Sequence, residues 1–295
     1  MTAKNFICPN GEQVTIEQCL AGCVYGHACI ARPTLYSLAA GCRDRKLDRF
    51  SVTELIRGAR ESYLMKINDY AIDPMSLVFS TFGTAVHKAQ ELAALKAQGI
   101  MTETRLENDI ATGQIDAYGH IFNDYENVIC DYKVTTSYKA MKALGYGYKT
   151  EQVDTGEVYK VGAKKGQPKY KTVKVWSEDC RRDVWEWTLQ QNFYRMLLEE
   201  AGYKVDGMYI QMLIRDYSTR SAEDRHIYRP IYTVKLNKIS NHWLRLWFKA
   251  KKERIEQAIL TGNMPAACSK RETWDGIKCQ SFCNAAPFCD RNNCG

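Results

Sequence analysis

Apolar and polar positions alternate with two periods along this 295-residue chain. Between residues 53 and 67 the apolar side chains fall at Leu55, Ile56, Ala59, Tyr63 and Ile67, one face of a helix that repeats every 3.6 residues. Residues 80–98 predict another helix, with Gly99 to end it, and Pro33 can open a shorter one reaching Ala40. Strand signals follow at 101–106, 111–118 and 127–134, then a lysine-rich stretch over 137–175. A helix over 185–200 stops at Gly202, and two more strands are expected at 205–215 and 226–235. The longest predicted helix covers 240–260, with Ser240 as N-cap, Gly262 behind it and Pro265 beyond. Helices, three strands, a helix, two strands and a helix in that order predict a mixed α/β core.

Composition supports a folded chain: 45% of residues are hydrophobic, 25% are charged, and 33 are aromatic. No apolar run approaches the roughly 18 residues that span a bilayer, and MTAKNFICPNGEQ lacks the apolar stretch of a signal peptide. The expected setting is cytoplasmic and reducing, with no membrane partner. Twelve cysteines then point to metal ligation ahead of disulfides.

Eight of them are periodic. Cys8, Cys19, Cys23 and Cys29 read C-x10-C-x3-C-x5-C, and Cys268, Cys279, Cys283 and Cys289 repeat the same gaps at the other end. Four thiolates suit tetrahedral zinc or an iron–sulfur cluster. Cys42, Cys130, Cys180 and Cys294 lie outside the pattern and read as small apolar residues. The quartets suggest three segments: an N-terminal cysteine segment (1–31), a core (32–262) and a C-terminal cysteine segment (263–295). The formal charge of +7 would fall to about +3 with a divalent ion in each four-thiolate site, so overall charge says little about partners.

The chemistry gathers on two strand candidates. Gly113-Gln114-Ile115-Asp116 is followed, after fourteen intervening residues, by Asp131-Tyr132-Lys133. Asp131 and Lys133 are two apart and so share a strand face. Val128, Ile129 and Cys130 make that strand apolar just before them, and buried charges need partners or a metal. Two converging carboxylates are hard oxygen ligands suited to Mg²⁺ or Mn²⁺. Such an ion acidifies a bound water, which the lysine can position.

This arrangement resembles the PD-(D/E)xK nuclease superfamily. Gly83-Thr84-Ala85-Val86-His87, with Glu91 a turn further on, looks like the G-x3-H helix motif of the RecB-like branch, and Gln190 to Tyr194 looks like its Q-x3-Y motif. The resemblance spans about residues 80–200. It implies a restriction-endonuclease-like mixed sheet flanked by helices. It also implies metal ligands at His87, Asp116, Asp131 and the Tyr132 carbonyl, a water-positioning Lys133, an orienting Gln190, and Tyr194 lining the site. A further glutamate is expected on the preceding strand, with Glu103 and Glu107 both candidates. Within the branch, AddB-type proteins bind an iron–sulfur cluster with one upstream and three downstream cysteines. Cys29, in Cys29-Ile30-Ala31-Arg32, would join Cys279, Cys283 and Cys289. The downstream spacing here is C-x3-C-x5-C rather than C-x2-C-x5-C, and the repeated quartet favours two self-contained sites, zinc ahead of a [4Fe–4S] cluster.

Residues 137–175 hold nine lysines and three acids. Val158–Val161 and Thr172–Val175 are expected to pair around AKKGQPK as a basic hairpin, with Tyr138, Tyr146, Tyr148, Tyr159 and Tyr170 interleaved. Lys160, Lys164, Lys165 and Lys169 are the expected phosphate contacts. The expected function is a metal-dependent deoxyribonuclease, an exonuclease or flap-type enzyme on DNA ends or single strands. The alternatives are a sequence-specific restriction-like endonuclease and a catalytically silent nucleic-acid-binding zinc protein.

Overall fold

The structure, a computed structural model, describes residues 3–42, 46–97, 99–122 and 127–289. Cys294 and the expected helix end at Gln98 lie outside them. Along the chain run β1 (Ala3–Ile7), β2 (Gln13–Thr15), α1 (Ile16–Ala21), α2 (Arg32–Ala39), α3 (Val52–Ile56), α4 (Ala59–Ile67), β3 (Tyr70–Ile72) and α5 (Val78–Ala94). Then come β4 (Ile100–Glu107), β5 (Thr112–Gly119), β6 (Val128–Thr135), α6 (Ser137–Leu144), β7 (Gly147–Val158), β8 (Pro168–Ser177) and α7 (Trp185–Glu200). The chain closes with β9 (Gly207–Ile214), α8 (Arg220–Glu223), β10 (Ile231–Lys235), α9 (Asn241–Thr261) and α10 (Ile277–Ser281).

The protein is α/β, with mixed β-sheets flanked by helices. A five-stranded sheet has the order β10-β9-β6-β5-β4, a small sheet the order β2-β1-β3, and β7 pairs with β8. No helix among the described residues is long and apolar enough to cross a membrane. By compactness the chain forms two units. The first comprises Met1–Asp131, Glu186–Met208 and Asn237–Gly295, and the second Tyr132–Trp185 and Tyr209–Leu236.

The first unit holds the larger core. Ile115, Val128, Ile129, Leu189, Phe193 and Phe248 are all buried, and Phe193 meets Phe248 edge-on at 4.5 Å between ring centroids, favoured by the ring quadrupoles. Asn192 ties α7 to the segment before α9: its Nδ2 donates to the Asn237 carbonyl (2.9 Å) and its Oδ1 accepts from Ile239 N (2.8 Å). Lys66 is fully buried. Its ammonium donates to the Lys46 and Arg49 carbonyls at 2.6 and 2.7 Å and lies 3.7 Å from Glu54, the neutralisation a buried charge requires.

Several sequence expectations shift. The helix over 53–67 is two helices. Ser51 and Glu54 form a capping box for α3, and Arg57 then turns extended (ψ 168°). A Cβ on the next residue, Gly58, would overlap Cys268 Sγ, so glycine admits the cysteine at this break. The segment 1–31 is partly strand, because β1 has partners on both sides: β2 antiparallel and β3 parallel. Of the strand expected at 226–235 only Ile231–Lys235 forms. His226 takes a left-handed φ of 56°, and Pro230 has no N–H to give a ladder.

In the second unit the lysine-rich stretch opens with α6, capped by Thr136 and ended by Gly145 at φ 85°. The hairpin that follows is longer than expected and differs in register. Val158 pairs with Pro168, and Thr172 and Val175 pair with Gln152 and Lys149. Residues 159–167 form the turn, closed by Gly166 N donating to the Tyr159 carbonyl (2.8 Å).

Candidate functional site

The candidate site in the first unit is built from α5, β4, β5, β6 and α7. In the β4–β5 ladder Thr102 pairs with Ala117 and Thr104 with Ile115, which sets Glu103 opposite Asp116. Glu103 itself has a left-handed φ of 47°. That conformation costs a non-glycine residue about 1 kcal/mol or more and gathers at functional sites. His87, on α5, completes the group: its Nδ1 lies 3.5 Å from Asp116 Oδ2 and 3.8 Å from Glu103 Oε1. One ligand atom from each of the three lies within 4.8 Å of the other two, a grouping found at this one place among the described residues. All three are only partly exposed. Gln114 Nε2 donates to Glu103 Oε2 and Gln114 Oε1 accepts from Arg105 Nη2 (3.0 Å), which fixes the Glu103 carboxylate.

Asp131 comes from β6, next to β5 in the sheet, and is 1% exposed. Gln191 Nε2 donates to its Oδ1 at 3.0 Å. Gln190, the residue expected to orient the site, instead donates from Nε2 to the Tyr194 hydroxyl at 2.9 Å. Tyr194 packs over Gly113, where a Cβ would come within 2.7 Å of Tyr194 Cε1. Burial pushes the Tyr194 phenol far up, the Gln190 bond opposes this, and the Asp131 and Asp116 carboxylates raise it further. It is therefore a neutral hydroxyl at neutral pH. Tyr132 and Lys133 follow on β6, both half-buried, and belong to the second unit.

The structure thus brings His87, Asp116, Asp131, Gln190 and Tyr194 to one face of the first unit and resolves the glutamate. Glu107 is half-exposed and paired with Arg49 at 2.8 Å, and Glu91 is paired with Lys88 at 2.8 Å; Glu103 is the one at the site. Glu103 and Glu107 point to one strand face by parity, so only the ladder register separates them. Gln191 is a site residue that sequence reasoning does not single out. It adjoins Gln190 in the chain, and the Q-x3-Y spacing to Tyr194 picks out Gln190 instead.

The cysteines form two separate groups within the first unit. Cys8 (after β1), Cys19 (on α1), Cys23 and Cys29 line one cavity with apolar walls that include Val14, Val24 and Leu35. Cys268, Cys279, Cys283 and Cys289 line another with Arg60 and Glu61 of α4. None of the eight forms a disulfide. Burial pushes Cys268 up to about 11. Burial also raises Cys19, with Cys8, Cys29 and Cys23 adding to it as neighbours. Arg32 donates from Nη2 to the Leu20 and Ala21 carbonyls at 3.2 and 3.3 Å, at the end of the helix carrying Cys19. The arrangement expected from the resemblance, Cys29 with Cys279, Cys283 and Cys289, is not the one found: Cys29 lines the N-terminal cavity.

In the second unit, Lys160, Lys164 and Lys165 lie exposed in the hairpin turn, and Lys169 lies half-buried on β8. The Lys164 and Lys169 ammonium groups each lie 5.8 Å from the Tyr159 ring centre. Lys169 also pairs with Glu157 at 3.0 Å. At the hairpin base Trp176 stacks on His226 at 4.1 Å and meets Tyr148 edge-on at 5.3 Å.

No protein-family model matches the chain, and no curated protein matches it. Among solved structures, one titled "Crystal structure of SSO0001" aligns at 13% identity over 87% of this chain and 93% of that one, with a TM-score of 0.45. That likeness carries no functional assignment.

Proposed function

We propose that the chain is a metal-dependent nuclease of the RecB-like kind, hydrolysing phosphodiesters in DNA ends or single strands. The observation that carries this reading is the convergence of His87, Glu103 and Asp116, from one helix and two adjacent strands, within 4.8 Å. The donor set fits a divalent ion: two carboxylates are hard ligands for Mg²⁺ or Mn²⁺, and the imidazole tilts the preference toward Mn²⁺. Such an ion supplies an acidified water and charge stabilisation at a phosphate. A left-handed Glu103 held by Gln114 keeps one carboxylate against Asp116 at a cost that a binding site explains and a purely structural strand pair does not.

The other side chains shape the surroundings. Gln191 holds Asp131 in one rotamer through Oδ1. Tyr194, kept protonated by burial, can donate to an acidic neighbour or to a phosphate oxygen. On β6 we assign Lys133 to orient the attacking water and stabilise developing charge, with the Tyr132 carbonyl as a further oxygen ligand. The turn lysines provide sequence-independent attraction to phosphates, and the neighbouring tyrosines provide stacking faces for bases.

The experiment is cleavage of linear and circular DNA with Mn²⁺, Mg²⁺ or chelator, beside Asp116→Asn and Lys133→Ala. Metal-dependent loss of linear DNA, abolished in both variants, is expected. Discrete bands would favour a restriction-like endonuclease. Intact DNA with a retained gel shift would favour a silent binding protein and overturn the proposal.

A further inference from the structure

The four N-terminal cysteines have no place in the nuclease chemistry, and their assignment stands whether or not the chain cleaves DNA. Cys8, Cys19, Cys23 and Cys29 arrive from four local positions: the end of β1, the middle of α1, the turn after it, and the residues before α2. They enclose a cavity of about 200 Å³ whose walls are otherwise largely apolar. The cavity around the C-terminal quartet is about 30 Å³.

Sulfur spacing separates the candidate occupants. A tetrahedral zinc ion with Zn–S bonds near 2.3 Å holds its four sulfurs about 3.8 Å apart. Among the described residues no three of these N-terminal sulfurs lie within 4.8 Å of one another, although the same test does find His87, Glu103 and Asp116. The N-terminal sulfurs thus stand wider apart, as a set, than a single tetrahedral ion holds them. A cluster gives each thiolate its own iron at a separate corner, so it suits four sulfurs set around a hollow. Apolar walls also suit it, because iron–sulfur clusters are tuned and protected by exclusion of water. The segment carrying Cys19 and Cys23 is anchored locally: Thr15 and Gln18 cap the start of α1, and Arg32 binds the Leu20 and Ala21 carbonyls between the two cysteines.

We propose that Cys8, Cys19, Cys23 and Cys29 bind a [4Fe–4S] cluster of their own, independent of the C-terminal cysteines. Its role is structural. It ties α1 and the start of α2 to β1, the central strand of the β2-β1-β3 sheet.

The test is metal content of the full chain purified without oxygen: iron, acid-labile sulfide and zinc per chain, with absorption near 400 nm (roughly) as the optical signature. Two variants read the same site from opposite sides. Cys8→Ser with Cys19→Ser should lose about four irons per chain and keep whatever the C-terminal quartet holds. Cys279→Ser should keep those four irons and the absorption. The second variant leaves the N-terminal segment untouched, so it decides even if the first does not fold. Zinc in place of iron in the unaltered chain overturns the proposal. Loss of all iron in Cys279→Ser also overturns it, because that outcome means one centre bridges the two ends.

Discussion

Replacing Gly113 with alanine probes how tightly the candidate site is packed. The added Cβ would sit 2.7 Å from Tyr194 Cε1, 2.8 Å from Cδ1 and 3.1 Å from Leu197 Cδ1. Carbon atoms rest near 3.5 Å, so the tyrosine ring must retreat by about 0.8 Å. It has little room: Tyr194 is 5% exposed and Leu197 2%. Overpacking of this kind costs about 1–3 kcal/mol. The displaced hydroxyl also strains its 2.9 Å bond from Gln190 and leaves its station beside Asp116 and Asp131. Misplacement of a site group on this scale lowers rates by about tenfold to a hundredfold. Urea unfolding and metal-dependent cleavage measure the two losses separately. A double variant, Gly113→Ala with Tyr194→Leu, removes the ring atoms that clash. Stability in that cycle should show a favourable coupling of about 1 kcal/mol or more. If Gly113→Ala unfolds and cleaves like the unaltered chain, or if the cycle is additive, the packing described for this site is wrong.

Mn²⁺ at about 100 times its dissociation constant should stabilise the chain by about 2.7 kcal/mol; Glu103→Gln and Asp116→Asn should lose this gain while Glu107→Gln keeps it, and equal behaviour of the two glutamate variants in thermal unfolding would sink the ligand assignment. Lys66→Met leaves the Lys46 and Arg49 carbonyls without their donor and should cost about 2–4 kcal/mol; a change under about 0.5 kcal/mol in denaturant unfolding would refute that role. Changing Lys160, Lys164 and Lys165 together to alanine should reduce the slope of log K against log salt by about 2 for single strands. Lys169→Ala should do less, because Glu157 already neutralises it, and an unaltered slope in the triple variant would show the turn to be plain solvated surface. Burial works to raise the Glu272 carboxyl, but bonds from Lys251 and Ser269 outweigh it and hold it below its ordinary value. Its stabilisation is present above the ordinary carboxylate range and lost as pH falls through the folded value, so Glu272→Gln should flatten the acid limb of a stability–pH curve; an unchanged limb counts against the Lys251 pairing.

Most element types are legible in the amino-acid order, because they follow from local periods and caps: α7, α9 with Gly262 behind it, and β4 to β6 lie within a residue or two of expectation. Asp116, Asp131 and His87 stand out in the same way, since charged or titratable residues beside apolar strand and helix positions demand a partner. The repeat of the two cysteine quartets is visible as arithmetic. Distances between segments are another matter, and there the tertiary structure alone decides. Glu103 and Glu107 share a strand face, and only the β4–β5 register puts Glu103 opposite Asp116. Gln190 and Gln191 are chemically identical neighbours about 100° apart on a helix; Gln190 bonds Tyr194 one turn along the same helix, and the rotation of α7 over the sheet brings Gln191 to Asp131. The need for glycine at position 58 is invisible in sequence because the side chain that would meet a Cβ there, Cys268, lies far along the chain. The hairpin register escapes a sequence reading because one short valine-containing stretch pairs as plausibly as another, and register is set by turn geometry. Whether Cys29 belongs with its own quartet or with the far end cannot be read from spacing, since spacing fixes reach along the chain and not which cavity a side chain enters.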